Sequence, residues 1–241
     1  MVKRIKKFLG NRIINRYQIF YFISKIIRKT FTTQNKFKTV LFLFFNIIVE
    51  ILFSLITLLK FSTYVRKDDD LTKNYNAPFN SMVIQLIGMI YFIYYNRDQS
   101  LFHKNSSFMD IGCGNGKVLF FSNIIFNKSY GIEVNSYHAK LAKKNLQNSN
   151  VEILNEDFLS PDFIIPKDVN YFYFFSPFNK EEHLKVFVRK LTNHGKVNKK
   201  KITLILYNGG SQIDFYLKQN LILIHKQSFF HYFENYYLRL N

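Results

Sequence analysis

Apolar and polar positions divide the chain into three zones. Residues 39–59 form an almost unbroken apolar run that is long enough in principle to cross a bilayer. Residues 68–79 are polar, with three consecutive aspartates and Pro78, and are typical of a linker. From residue 80 to residue 241, short apolar runs alternate with segments of helical spacing. This alternation predicts an α/β domain that follows a basic, hydrophobic, helical N-terminal segment over residues 1–67.

The first half of this domain has a βαβαβ pattern. The predicted elements are a strand at 106–111, a helix at 117–126, a strand at 129–134, a helix at 135–147 and a strand at 151–154. Asn135 or Ser136 is suited to cap the second helix. Such a unit is half of a doubly wound fold, in which a nucleoside binds at the carboxyl ends of the strands.

The second half continues the same alternation. A buried strand begins at residue 170 and runs into Ser176. The later elements are a helix at 180–191, a strand at 201–208 and two final strands at 221–227 and 229–240.

A glycine turn joins the first predicted strand to the first helix. Gly112, Gly114 and Gly116 form a GxGxG pattern, whereas a dinucleotide fingerprint is GxGxxG and a P-loop needs a following GK[ST]. Asp110 precedes this turn, where a carboxylate disfavours phosphate and favours an ammonium or sulfonium group. Glu133 ends the next strand, where a carboxylate can accept two hydrogen bonds from a ribose diol. The pattern therefore indicates a nucleoside with a cationic tail, and S-adenosylmethionine is such a molecule.

Three stretches resemble motifs I, II and III of the class I S-adenosylmethionine-dependent methyltransferases: DIGCGNGKV, GIEVN and NEDFL. The resemblance extends over residues 75–241. It implies a Rossmann-like, seven-stranded, mostly parallel sheet of order 3-2-1-4-5-7-6 with helices on both faces. It also implies S-adenosylmethionine as the cofactor and methyl transfer as the activity.

The resemblance assigns roles to individual residues. Asp110 would lie near the methionine amino group, Glu133 would bind the ribose hydroxyls, and Asp157 would bind the adenine amino group with Phe158 beside it. Cys113 is expected to be a small packed residue of the turn rather than a nucleophile. The implied cofactor-binding residues are Asp110, Gly112, Cys113, Gly114, Gly116, Glu133, Asp157 and Phe158.

Candidates for the acceptor site follow the fourth and fifth strands. Ser176-Pro177-Phe178-Asn179 resembles motif IV, in which many amino-group methyltransferases carry an amide or an acid at the position of Ser176. Phe178 is either a wall of the acceptor site or a core residue. The catalytic candidates are therefore Ser176, Pro177, Phe178 and Tyr207. No general base is predicted, because positioning alone can suffice for a nucleophile that arrives neutral.

Charge and composition limit the kinds of partner and site that are expected for this chain. The formal net charge is +18, and residues 1–67 contain 14 Lys and Arg but only one acid, Glu50. Such a segment favours an anionic partner, either a membrane surface or nucleic acid, although base composition alone can also produce this bias. The apolar run at 39–59 either lies on or dips into a membrane, or forms a helix that packs on the main domain or a partner. One cysteine excludes internal disulfides and a cysteine-based zinc site, and the histidines lack the spacing of metal ligands.

These observations predict an enzyme that transfers a methyl group to an unidentified acceptor, either a protein lysine or a small or lipid-linked molecule. The segment beginning at Tyr75 and Pro78 resembles the one before motif I in non-SET lysine methyltransferases and related small bacterial proteins. Two alternatives are an RNA methyltransferase and a catalytically silent module that binds S-adenosylmethionine. The expected location is cytoplasmic with membrane association, and the alternative is an organelle such as the mitochondrion.

Overall fold

The structure, a computed structural model, describes residues 44, 47–53, 81, 83–96, 106–175, 178, 180–207, 212–229 and 233–240. Contacts divide the chain into two compact units, Met1–Arg66 and Lys67–Asn241. In the first unit, residues 47–53 are helical. Among the described residues, no helix combines the length and the apolarity needed to cross a membrane. The predicted linker at 68–79 and most of the apolar run at 39–59 lie outside the described residues.

The second unit contains a seven-stranded sheet of order β3-β2-β1-β4-β5-β7-β6. Its strands are β1 Ser107–Ile111, β2 Lys128–Ile132, β3 Val151–Leu154, β4 Val169–Phe174, β5 Ile202–Tyr207, β6 Leu221–Phe229 and β7 Phe233–Leu240. The neighbouring pairs among β1 to β5 are parallel, whereas β7 is antiparallel to both β5 and β6. The predicted fold class and strand order are confirmed.

Helices cover both faces of this sheet. The described helices of the second unit are α1 Val83–Asn96, α2 Lys117–Ser122, α3 Ser136–Asn145, α4 Glu181–Asn198 and α5 Ile213–Lys218. On one face, Phe92 of α1 contacts Tyr237 of β7, with ring centroids 4.5 Å apart. On the other face, Phe187 of α4 stacks on Phe174 of β4, with ring centroids 4.6 Å apart. Both faces of β4 and β5 are buried, which explains why these strands are continuous apolar runs.

Two helices differ in length from their predictions. The predicted helix at 117–126 ends at Ser122, because Phe126 turns back to pack on Phe108 and Tyr171 in the core. The predicted helix at 180–191 continues to Asn198, where Lys199 adopts a left-handed conformation with φ 51°. Its buried face continues past the predicted end through His194 and Gly195.

The strand order creates the place where a ligand is expected. From β1 the chain crosses to β2 and then β3 on one side, whereas β4 lies on the other side of β1. At such a switch point the loops after neighbouring strands separate and leave a crevice at the carboxyl edge of the sheet. The glycine turn follows β1 directly and therefore borders this crevice.

Candidate functional site

The glycine turn is fixed by backbone hydrogen bonds and by left-handed glycines. Gly112, Gly114 and Gly116 have φ angles of 78°, 54° and 88°, which other residues rarely adopt. The N–H groups of Gly112 and Cys113 both donate to the carbonyl of Ile132, at 2.9 and 3.1 Å. The turn is therefore tied to the end of the neighbouring strand β2 by its own backbone.

Two of these glycines serve different purposes. A Cβ added at Gly116 would lie 2.6 Å from Cδ1 of Leu146, so this glycine lets α3 approach the turn closely. A Cβ added at Gly114 would meet no atom within 4 Å. The backbone at Gly114 therefore faces open space, as a surface that receives a ligand does.

Glu133 follows β2 and lies beside this open backbone. Its Oε2 accepts a hydrogen bond of 2.8 Å from the N–H of Gly114, and its Oε1 accepts one of 2.9 Å from the N–H of Asn135. Asn135 in turn caps α3 by accepting hydrogen bonds from the N–H groups of Tyr137 and His138. The carboxylate is thus held in one orientation, and each oxygen keeps a lone pair for a further donor.

Asp110 is the acid of the site whose charge is stabilised least by its surroundings. It lies in β1 opposite Gly131 and Tyr173, and it is 2% exposed. Its Oδ2 has no hydrogen-bond partner among the described residues. Burial, and then the nearby charge of Glu133, raise the pKa of Asp110 well above its usual value. A cationic group that reaches Asp110 would supply the missing partner.

Asp157 and Phe158 follow β3. The Oδ1 of Asp157 accepts a hydrogen bond of 2.8 Å from the N–H of Leu159, which closes a tight turn. Phe158 is buried in the core, with its ring centroid 5.4 Å from those of Phe163 and Phe187. Its ring therefore supports the loop after β3 from the side of the hydrophobic core.

Lys190 of α4 holds the loop after β3 in place. It was not among the residues predicted from the sequence. Its Nζ donates hydrogen bonds to the carbonyls of Ser160 and Phe163, the latter at 3.1 Å. Its charge also interacts with Asp157. In the sequence, Lys190 is one of many lysines on an amphipathic helix, so no local signal identified it.

Cys113 lies inside the turn with its side chain buried. A Cβ added at Gly131 would be 2.7 Å from its Sγ, so the sulfur packs directly on the backbone of β2. Burial, together with the charges of Asp110 and Glu133, raises the pKa of the Cys113 thiol well above its usual value. These surroundings favour a neutral, unreactive thiol.

The acceptor candidates are only partly described. Ser176 and Pro177 lie outside the described residues. Phe178 is buried, with its ring 5.4 Å from Phe174 and 5.9 Å from Phe187, so it belongs to the core beneath α4. Tyr207 ends β5 at the carboxyl edge, where its ring lies 4.5 Å from Phe175.

A contact between α1 and the sheet was also not predicted. Ser81, just before α1, shares a hydrogen bond of 2.7 Å with the hydroxyl of Tyr173 in β4. Since Tyr173 is paired with Asp110 in the register, this bond places the start of α1 close to the acid. The two residues are 92 positions apart, and no sequence pattern connects them.

Comparison with solved structures identifies the fold. A Leishmania major S-adenosylmethionine-dependent methyltransferase superimposes with a TM-score of 0.50 at 11% identity, over 65% of this chain and 72% of that chain. A Pyrococcus horikoshii protein gives 0.51 at 12% identity, over 67% and 93%. A Pyrococcus abyssi tRNA (uracil-54, C5)-methyltransferase in complex with S-adenosyl-L-homocysteine gives 0.48 at 12% identity, over 69% of this chain but only 40% of that one. No protein-family model and no curated protein sequence matches this chain. At these identities the first two likenesses establish a shared fold and nothing further.

Proposed function

We propose that this chain, which has the Rossmann-like fold of the class I S-adenosylmethionine-dependent methyltransferases, binds S-adenosylmethionine and transfers its methyl group to an acceptor. The observation that carries the proposal is Asp110, a buried carboxyl group with an unpaired oxygen next to the glycine turn. The amino group of a bound S-adenosylmethionine would pair with it. Charge-assisted hydrogen bonds of this kind are among the strongest that proteins form.

The order of three acids supports the same ligand. Asp157, Glu133 and Asp110 belong to β3, β2 and β1 or to the residues that follow them, and these strands are consecutive in the sheet. Adenine, ribose and methionine are consecutive in S-adenosylmethionine. Each acid would therefore meet a hydrogen-bond donor of the ligand: the adenine amino group, the ribose hydroxyls and the methionine ammonium.

When bound, S-adenosylmethionine supplies an electrophilic methyl group on a sulfonium. The chain's own contribution would be to hold and surround it. Glu133, oriented by two backbone N–H groups, would fix the ribose. The open backbone at Gly114 would admit the ligand, and the contact between Ser81 and Tyr173 would close the site on the α1 side. Positioning and the exclusion of water would then account for most of the acceleration.

The acceptor and the location are part of the proposal. We favour a protein lysine or a small or lipid-linked molecule, near the cytoplasmic surface of a membrane. The helical residues 47–53 support membrane association, because they expose four large aliphatic side chains: Ile47, Ile48, Ile51 and Leu52. Together with the positive charge of residues 1–67, they suit an anionic lipid surface.

Calorimetry with S-adenosylmethionine tests the proposal. Wild-type protein should bind it, whereas Asp110→Ala and Glu133→Ala should weaken binding at least about tenfold, as the loss of a hydrogen bond to a charged group does. Glu152→Gln is the matched control, because Glu152 is an exposed acid paired with Lys128. Absence of binding, or equal binding by all variants, would contradict the proposal. Binding without methyl transfer would instead indicate a silent module.

A further inference from the structure

Asn235 of β7 is a buried polar residue that the proposed cofactor site does not use. It is 0% exposed, and neither its Oδ1 nor its Nδ2 has a hydrogen-bond partner within the described part of the chain. Native proteins leave few buried amides in this state. Such a group is suited to a partner that arrives from outside the protein, as Asp110 is in the proposed function.

Two polar neighbours of Asn235 are already engaged. The hydroxyl of Tyr237 donates to Oε1 of Gln227 at 3.1 Å, and Nε2 of Gln227 donates to the carbonyl of Gly88 at 3.2 Å. Burial raises the pKa of the Tyr237 phenol, and a weaker interaction of its hydroxyl with the side chain of Asn235 lowers it. The two side chains nevertheless form no hydrogen bond of normal geometry. The amide of Asn235 thus remains available.

The register places Asn235 on the same face of the sheet as Asp110. Asp110 is paired with Tyr173, Tyr173 with Ile205, and Ile205 with Tyr237. Asn235 precedes Tyr237 by two residues, on the same face and closer to the carboxyl edge. Strand β7 lies three positions from β1 and two from β4, which corresponds to about 14 and 10 Å at the usual strand spacing.

Two aromatic rings lie between β4 and Asn235. Phe175 follows β4, and Tyr207 is paired directly with Asn235, so both rings lie at the carboxyl edge. Their centroids are 4.5 Å apart. An aliphatic stem passing from β4 toward β7 would therefore run along apolar surface before it reached the amide.

We propose that Asn235 is a specificity-determining residue of the acceptor site, which recognises a peptide group of the acceptor. An Asn side chain offers N–H donors and a carbonyl acceptor side by side in one plane, and the N–H and C=O of one residue in an extended polypeptide point to the same side and offer the complementary pair. This assignment rests on the proposed methyl transfer and names the acceptor class: an amine on an aliphatic stem attached to a polypeptide.

The dimensions agree with this acceptor. Four methylene groups between an amine and a backbone Cα span about 6 Å with ordinary bond lengths. A hydrogen bond from the peptide group to Asn235 adds about 3 Å. An amine at the end of β4, where the methyl group would be received, therefore places its peptide group within reach of Asn235. A short free amine has no such group.

The test combines stability with methyl transfer. Asn235→Leu keeps the size of the side chain and removes the unpaired amide, so its unfolding midpoint should equal or exceed that of wild type. Its affinity for S-adenosylmethionine should not change. Transfer of a tritiated methyl group from S-adenosylmethionine into the protein fraction of an expression-host lysate should fall at least about tenfold, with RNA and lipid fractions counted separately. Asn235→Ala should show the same loss of transfer.

Asn198→Leu is the matched control. Asn198 donates hydrogen bonds to His194 at the end of α4, so this variant should be less stable but should transfer methyl groups normally. A lowered midpoint for Asn235→Leu, undiminished labelling of protein, or label that enters RNA or lipid would overturn the assignment. Failure of wild type to bind S-adenosylmethionine would contradict the proposed function instead. Binding without label in any fraction would overturn both.

Discussion

The charged form of Asp110 is unfavourable in the folded state. Burial raises its pKa above the value of about 3.9 that an unfolded chain would have. The stability due to protonated Asp110 is fully present below the unfolded pKa and is lost as the pH rises through the raised folded pKa. An ammonium ligand reverses this preference, because it pairs with the carboxylate. At the scale of the residue, ligand binding and protein stability are therefore opposed.

Asp110→Asn should separate these two effects. Because the amide is neutral at every pH, the variant should unfold at a higher temperature than wild type at neutral pH, and the difference should vanish in acid. Its affinity for S-adenosylmethionine should be at least about tenfold lower. In wild type, calorimetry over a series of pH values should show affinity rising as the pH passes the raised pKa of Asp110. An unchanged pH profile in the variant would contradict this role.

Gly114 and Gly116 form a second test at the scale of the residue. Gly114→Ala should destabilise the protein by about 1–2 kcal/mol through its left-handed backbone. It should also weaken S-adenosylmethionine binding, since the new methyl group enters open space. Gly116→Ala should destabilise the protein more, by about 2–4 kcal/mol, because the new methyl group also overlaps with the side chain of Leu146. Chemical denaturation and calorimetry of both variants measure the contrast, and the reverse order of stability would refute it.

At the scale of elements, Lys190 connects α4 to the loop that carries Asp157. Lys190→Met keeps the apolar stem and removes the ammonium from the carbonyls of Ser160 and Phe163. We expect a loss of about 1–2 kcal/mol of stability and a several-fold weaker binding of S-adenosylmethionine, because Asp157 is no longer held. Lys185→Met is the control, since its exposed pair with Glu181 contributes little. Equal effects of the two substitutions would show that Lys190 does not position the loop.

Local pattern was sufficient for most strands. The prediction for β3 matches Val151–Leu154, and Asn135, one of the two predicted caps of α3, is the N-cap. The six-residue helix α5 was not predicted, because a segment so short shows no periodicity. The order of the strands came from resemblance to a family rather than from the pattern, since strand pairing is not a local property.

Contacts between distant parts of the chain explain the rest. Lys190 looks like a surface lysine, and Ser81 like an ordinary residue before a helix. Asn235 interrupts a run of β-forming residues without any motif. The folded chain brings Lys190 to Phe163, Ser81 to Tyr173 and Asn235 to Tyr207. These contacts suggest a role for each residue that its sequence neighbours do not show. Most of the predicted cofactor residues cluster in sequence around β1 and β2, where local motifs specify them, whereas the candidates for the acceptor side are spread over more distant strands.

At the scale of the second unit, one half of the sheet is proposed to bind the cofactor and the other half the acceptor. Strands β3, β2 and β1 carry the acids that suit the parts of S-adenosylmethionine. Phe175, which follows β4, Tyr207 of β5 and Asn235 of β7 are uncharged and would suit an apolar stem and a peptide group. A cation would be attracted to the first half and held only weakly by the second. This arrangement favours an acceptor amine that arrives neutral.

Charge is divided along the chain as well, and this leads to a test of membrane association. Residues 1–67 carry a formal charge of +13, with 14 basic residues and Glu50 as the only acid. Each basic residue near an anionic leaflet contributes about 1 kcal/mol to binding. The full chain should therefore float with vesicles that contain phosphatidylserine and not with pure phosphatidylcholine. A chain that begins at Asp68 should float with neither.

Salt and apolar substitutions distinguish the two contributions to this binding. Raising the salt from 0.1 M toward 1 M shortens the Debye length from about 10 to about 3 Å, so the electrostatic part should weaken. Replacing Ile51 and Leu52 by Asp should remove the apolar part, because both side chains are more than half exposed on the helical residues 47–53. Val197→Asp is the control, since Val197 is 71% exposed in the second unit. If the full chain and the chain from Asp68 float equally, the N-terminal segment is not a membrane anchor, and its positive charge must be explained by another anionic partner or by base composition.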